Sequence, residues 1–134
     1  MREGFTILIA DRNPHVRELL KREMSAEGYG VRVAQNGHQV LKWSYDASPL
    51  DLLIMDPDLP DMDSTVLIER LKNRIPTLPM IIHAFVSDYP RHPEGSDAVV
   101  FLEKEGSSIE SLKQIVERLL TRSNSTKEIP VEKK

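Results

Sequence analysis

No cysteine occurs anywhere in the chain, which excludes a disulfide framework and any zinc site built on thiolates, and is compatible with a reducing cytosol. Long apolar runs are missing too. Met1-Arg2-Glu3-Gly4 leads into only a handful of apolar residues before Asp11, too few for a signal-peptide core or a membrane span, so a soluble, cytoplasmic protein with no membrane association is expected. There is no excess of positive charge. The 18 Lys and Arg are intermixed with 21 Asp and Glu for a net charge of -3, which leaves no basic stripe of the kind that neutralises a phosphate backbone, and direct nucleic-acid binding is not expected. Internal repeats are absent, and 134 residues suffice for one domain with a single core.

What the chain does contain is an alternation of two patterns. Segments with strand character recur at Ile7-Leu8-Ile9-Ala10, Val31-Arg32-Val33-Ala34, Leu52-Leu53-Ile54-Met55, Met80-Ile81-Ile82-His83-Ala84 and Val99-Val100-Phe101-Leu102. Several are unbroken apolar runs, as expected of parallel strands covered on both faces. Helical patterns lie between them. Asn13 as N-cap and Pro14 at the first helical position open a helix with Val16, Leu19, Leu20 and Met24 on one face, ended by Gly28 or Gly30. A second runs from about Asn36 to Tyr45 with Val40, Leu41 and Trp43 as its apolar residues. A third spans about Ser64 to Arg74, carries Val66, Leu67, Ile68 and Leu71, and stops before Pro76 and Pro79. Ser107 and Glu110 have capping-box spacing ahead of a last helix whose buried stripe is Leu112, Ile115, Val116, Leu119 and Leu120. Between the fourth and fifth strands Pro90, Pro93 and Gly95 interrupt any helix, so that crossover, the fourth helix in order, is expected to be short or irregular. The polar, aperiodic residues 123–134 read as a disordered tail or linker after a domain of residues 1–122.

Strand and helix alternating in this way predict an α/β fold, a doubly wound five-stranded parallel sheet with helices on both faces. Ligands of such sheets bind beyond the carboxyl ends of the strands, where strand order reverses. The residues there are Asp11-Arg12, Asp56-Pro57-Asp58, Ala84-Phe85 and Glu103-Lys104. Asp56, held by a rigid strand, can act as a nucleophile toward a phosphoryl group and form an acyl phosphate. A divalent ion, magnesium by its preference for carboxylate and phosphate oxygens, would offset the charge, and Lys104 would serve as a point-charge partner of the phosphate. Any one of these acids alone reads more simply as a loop-solvating strand end paired with a lysine; two acids and a lysine at one sheet edge favour function.

The motifs at these positions resemble those of the receiver domains of two-component response regulators, over about Thr6 to Leu120. "ILIADRNPHVR" is similar to the family's first strand and acidic turn, "DLLIMDPDLPDMDS" to its phosphoacceptor strand and loop, "LPMIIHAF" to its fourth strand, and "DAVVFLEKEGSSIESL" to its fifth strand and lysine. The resemblance implies the flavodoxin-like receiver fold and a bacterial phosphoprotein of a phosphorelay. In it Asp56 accepts a phosphoryl group from a sensor histidine kinase or phosphotransfer protein and signals to an output domain or effector by changing conformation. It implies no enzyme beyond self-catalysed phosphoryl transfer and autodephosphorylation, in which Asp56 and Lys104 take part. Asp11, Asp56 and Asp58 are the implied metal positions, the last through its backbone carbonyl; a homodimer is a further partner class left open.

Several positions depart from the family's pattern. Arg12 stands where a second acid is usual, removes a metal ligand and adds a positive charge, so the expected magnesium affinity is weak or absent. Asp58 could turn its carboxylate to the metal in compensation, the Arg12 guanidinium could contact phosphoryl oxygens itself, or Arg12 could be a surface side chain paired with Asp11 or Asp58. Ala84 replaces the usual hydroxyl donor; a hydrogen bond to a charged group contributes about 1.5–3 kcal/mol, so its loss weakens the switch about ten- to a hundred-fold. Phe101 occupies the place of a switching aromatic, Ser64 replaces a Gly and Glu105 a Pro. These departures support an alternative, a phosphorylation-independent pseudo-receiver that acts by binding. Asp56-Pro57-Asp58 also matches the nucleophile pair of haloacid-dehalogenase-like phosphatases, but no later acidic pair or cap follows. His15, His38 and His92 show no metal-ligand spacing, and Trp43 reads as a packing residue.

Overall fold

The computed structural model describes residues 4–46, 49–74, 76–85, 99–104 and 108–132, the last helix with its side chains as far as Thr121. Their order is β1 (Thr6–Ala10), α1 (Pro14–Ala26), β2 (Gly30–Ala34), α2 (Gly37–Ser44), β3 (Leu52–Met55), α3 (Ser64–Lys72), β4 (Met80–Ala84), β5 (Val99–Glu103) and α4 (Ser108–Glu132). All strands pair in parallel in the order β2-β1-β3-β4-β5. The chain moves one way from β1 to β2 and the other way to β3, so the reversal falls between the ends of β1 and β3.

Alternation along each strand divides the core into two layers. Leu8, Ala10, Leu53, Met55 and Ile82 face α2 and α3 through Val40, Leu67, Ile68 and Leu71. Ile7, Ile9, Leu52, Ile54 and Ile81 face α1 and α4 through Leu20, Met24, Leu112, Val116 and Leu119. Helices thus cover both faces of a five-stranded parallel sheet, as the sequence predicts. Burying each of these large aliphatic side chains stabilises the fold by about 1.5–3 kcal/mol relative to leaving it exposed.

Local signals placed the helix starts well. The Asn13 side chain accepts from the His15 and Val16 amides, and Asn36 from the Gln39 amide. Gly28, at φ 101°, takes the left-handed conformation that follows α1. Elsewhere the fold differs from expectation. Leu19 and Val66 are exposed, because the buried stripes of α1 and α3 are narrower than their apolar composition. The third helix stops at Lys72, and Arg74 turns inward, its Nε donating to the Ser44 carbonyl at 2.6 Å and Nη1 to the Pro76 carbonyl at 2.7 Å. The backbone of α4 continues past Arg122 to Glu132, where an unstructured tail is expected; once a helix is anchored by packing, further residues extend an existing nucleus, though Pro130 has no N–H to donate. Ser107 as a cap, and the irregular crossover with Pro90, His92, Pro93 and Gly95, lie outside the described residues.

Candidate phosphoacceptor site

The switch between β1 and β3 brings Asp11 and Asp56 side by side. Both follow directly on apolar strands, and the Asp56 amide donates to the Ala10 carbonyl at 2.8 Å, extending the β1–β3 ladder to the site. On the far side, the Lys104 amide donates to the Ala84 carbonyl at 2.9 Å, fixing the lysine at the end of β5. Asp11 and Asp56 are each 1 % exposed.

The polar groups are paired unequally. Asp11 accepts from the Asn13 amide through Oδ1 at 2.9 Å and faces Lys104 Nζ through Oδ2 at 3.1 Å, while its carbonyl accepts from Arg17 Nη1 at 2.7 Å. Asp56 accepts from the Asp58 amide through Oδ1 at 3.0 Å. Its Oδ2 is buried without a hydrogen-bond partner among the described residues, although Arg12 Nε lies 3.7 Å and Lys104 Nζ 4.0 Å away. Burial pushes the Asp56 carboxyl above the usual carboxylate range, and Asp11 adds to this, against the Asp58 amide bond, Lys104 and the Arg12 amide. The Lys104 ammonium also stands 5.4 Å from the centre of the Phe85 ring.

Arg12 projects from the turn after Asp11 and pairs with Asp58, Nη1 to Oδ2 at 2.6 Å. The two carboxylates implied for magnesium, Asp11 and Asp56, are both opposed by cations, an arrangement that does not suit the ion. Arg12 spans Asp56 and Asp58, Lys104 neutralises Asp11, and no three acidic or histidine side chains among the described residues converge as a metal site. The Asp58 side chain is turned to the guanidinium.

Ala84 is fully buried at the end of β4 and has no side-chain donor to offer. His83 points to the opposite layer, where its Nε2 lies 3.2 Å from Ser108 Oγ; burial, then Lys104, lowers its pKa to about 4, against Asp56. Phe101 is half-buried against the layer that holds Leu53 and Ile82. Trp43 packs against the same layer with the Arg32 guanidinium 4.9 Å from its ring centre.

One element of the site's surroundings carried no usable sequence signal. Asp61, in the loop after Asp56, accepts from the Gly37 and His38 amides at the start of α2 and from the His38 ring. Partial desolvation opposes its ionisation, but these hydrogen bonds hold it at about 2. The loop after β3 is therefore tied to α2 by a cap supplied from 24 residues away. A Cβ on Gly37 would meet Met62 Cβ at 2.9 Å, which explains why glycine suits the contact.

The sequence profile of the response regulator receiver domain matches residues 7–117. The chain belongs to this family. Receiver domains are signalling modules of two-component systems, and this one is similar to several bacterial relatives. It is 44 % identical over 78 residues to the response regulator GtcR of Aneurinibacillus migulanus, covering 58 % of this chain and 31 % of that protein. It is 34 % identical over 79 residues to the transcriptional regulator NtrC of Rhizobium meliloti, covering 59 % and 16 %. The chain thus spans less than a third of the length of these relatives. Among solved structures it is similar to the response regulator TrrA of Thermotoga maritima in complex with Mg(2+)-BeF, at 28 % identity and a TM-score of 0.72, over 87 % of this chain and 99 % of that one. TrrA has also been solved with the histidine kinase ThkA. Among the described residues of this receiver domain, no helix is long and apolar enough to cross a membrane.

Proposed function

We propose that this receiver domain accepts a phosphoryl group on Asp56 from a phosphohistidine of a sensor histidine kinase or phosphotransfer protein. The observation that carries the reading is Asp56 Oδ2, buried at the switch point, without a hydrogen-bond partner among the described residues, and flanked by two cations. In its ionised form that oxygen attacks phosphorus. The new O–P bond forms as the P–N bond to the donor imidazole breaks, and the electron pair leaves on the imidazole nitrogen, which takes a proton from solvent. Lys104 and Arg12 offset the charge carried by the transferring oxygens. The raised pKa of Asp56 keeps its carboxylate reactive, because a more basic oxygen is a better nucleophile once ionised.

Magnesium affinity at this site is weak or nil, since Arg12 displaces one acid and occupies another. The domain is a phosphoacceptor rather than a turnover enzyme. Residues 1–122 form the receiver and 123–134 a tail or linker; the signal passes to an output domain or a separate effector, and pairing with a second copy is compatible with either. The expected setting is the cytoplasm, where the kinases of such relays present their phosphohistidine.

The test is incubation with acetyl phosphate followed by intact-mass measurement. One phosphoryl adduct that disappears in Asp56→Asn supports the reading; an unmodified wild-type chain under every condition sinks it. The Arg12–Asp58 ion pair beside Asp56 favours the phosphorylation-independent binding module instead, and that second outcome would support it.

A further inference from the structure

The placement of Arg12 suits it to more than a share in offsetting charge. Its guanidinium reaches two carboxylates at once, Asp58 Oδ2 at 2.6 Å and Asp56 Oδ2 at 3.7 Å. It lies beside the same oxygen that Lys104 approaches at 4.0 Å. Asp56 is 1 % exposed and that oxygen has no hydrogen-bond partner among the described residues, so the site holds a buried acceptor aimed at two cations too distant to satisfy it. An additional group bonded to Oδ2 would extend into the reach of both. A guanidinium presents several N–H donors in one plane, a match for two oxygens of a tetrahedral anion, and its charge does not depend on pH in any accessible range.

We infer that Arg12 takes the place of a divalent cation, binding the phosphoryl group directly so that Asp56 is phosphorylated without metal. This rests on the phosphoacceptor reading. In the resting site Arg12 is held by Asp58, a half-exposed pair on both sides that competes with water and is therefore easily exchanged. When the phosphoryl group arrives, its oxygens carry more charge than the Asp58 carboxylate and draw Arg12 away from it. Asp58 is released, and with it a contact between the turn after β1 and the loop after β3. That loop is tied to α2 through Asp61, which gives the exchange a route to the rest of the fold even though Ala84 offers no hydroxyl to the phosphoryl group.

The experiment measures the rate of phosphorylation of the full chain by acetyl phosphate in excess EDTA and in excess magnesium, by intact mass. In each case Asp56 Oδ2 forms the O–P bond while the P–O bond to acetate breaks and acetate leaves with the electron pair. The wild-type rates are expected to agree within about twofold. Arg12→Gln is expected to lower the rate in EDTA about ten- to a hundred-fold, the loss of one charged hydrogen-bonding partner. Arg12→Asp, which restores a second acid, is expected to react only with magnesium. Asp58→Asn, which frees Arg12, should speed the reaction in EDTA. As a readout apart from reaction, Mn²⁺ should broaden the amide signals of Asp11, Asp56 and Asp58 in Arg12→Asp and leave those of the wild type sharp.

A wild-type adduct that forms only with magnesium overturns the inference and leaves the phosphoacceptor reading standing. An adduct whose rate in EDTA is unchanged in Arg12→Gln overturns it as well, since another group must then carry the charge. Absence of an adduct in both conditions overturns both readings. The wild-type comparison needs no variant, so a poorly folded substitution does not protect the idea.

Discussion

Replacing Asp56 with Asn should stabilise the folded domain at neutral pH. The substitution keeps an oxygen that can accept from the Asp58 amide, now at 3.0 Å, and removes the charge on a side chain that is 1 % exposed. The two cations nearest Oδ2, at 3.7 Å and 4.0 Å, are beyond hydrogen-bonding distance and do not repay its desolvation, which is why burial dominates and the carboxyl titrates above its usual range. The sign follows from linkage. A carboxyl whose pKa is raised on folding favours the folded state while protonated, that contribution being complete below the unfolded pKa and lost as pH rises through the folded one. As pH rises through the folded pKa the wild type loses this contribution, and the Asn variant, which does not titrate, keeps it. The Asn side chain still buries an unpartnered NH2 at the Oδ2 position, facing only donors, so what the variant gains is relief of the charge's desolvation alone, about 1–3 kcal/mol. For a domain of this size each kcal/mol moves Tm by roughly 3–5 °C. The assay is thermal unfolding of both proteins at neutral pH and again at successively lower pH, where the difference should shrink as the wild-type carboxyl takes up its proton. An Asn variant that is less stable at neutral pH, or a gain that grows on acidification, refutes the reasoning and means that Arg12 and Lys104 compensate the charge fully.

Three further outcomes are expected. His83, buried and lowered from 6.5 to about 4, stays neutral while the unfolded chain takes up its proton, so its contribution to stability is present above pH 6.5 and is lost as pH falls toward 4, about 3 kcal/mol in all; an NMR titration that finds its ring with a midpoint near 6.5 contradicts this. Gly37→Ala forces its new methyl against Met62 Cβ and Asp61 Oδ1, and should destabilise by about 1–3 kcal/mol and loosen the Asp61 cap, seen as a lower denaturation midpoint and a changed His38 ring signal. Arg74→Ala withdraws the donor from the Ser44 and Pro76 carbonyls and should cost about 2–4 kcal/mol in urea unfolding; an unchanged midpoint would mean that water replaces the guanidinium at no loss.

The elements were legible because their signals are local. An Asn-Pro step caps α1 within its own first turn, and the apolar runs of β1, β3 and β4 identify strands buried on both faces without reference to anything distant. Helix faces were less legible at Leu19 and Val66, since composition cannot say how wide a stripe the sheet will cover. Asp61 and Arg74 were not legible at all. Each makes its decisive contacts with backbone groups of another segment, 24 and 30 residues away, and nothing in an aspartate or arginine at a loop or helix end announces a distant amide or carbonyl.

By itself the sequence determined the order and type of the elements, hence the parallel sheet, and it set Asp11, Asp56 and Lys104 at the ends of strands that such a sheet must bring to one edge. It also placed Arg12 one residue from Asp11. Only the tertiary structure decided what that arginine does. A long side chain half-exposed at a turn can reach any of several carboxylates with little difference in local energy, so its partner is set by whichever strand lies across the switch point, and here that strand presents Asp56 and Asp58.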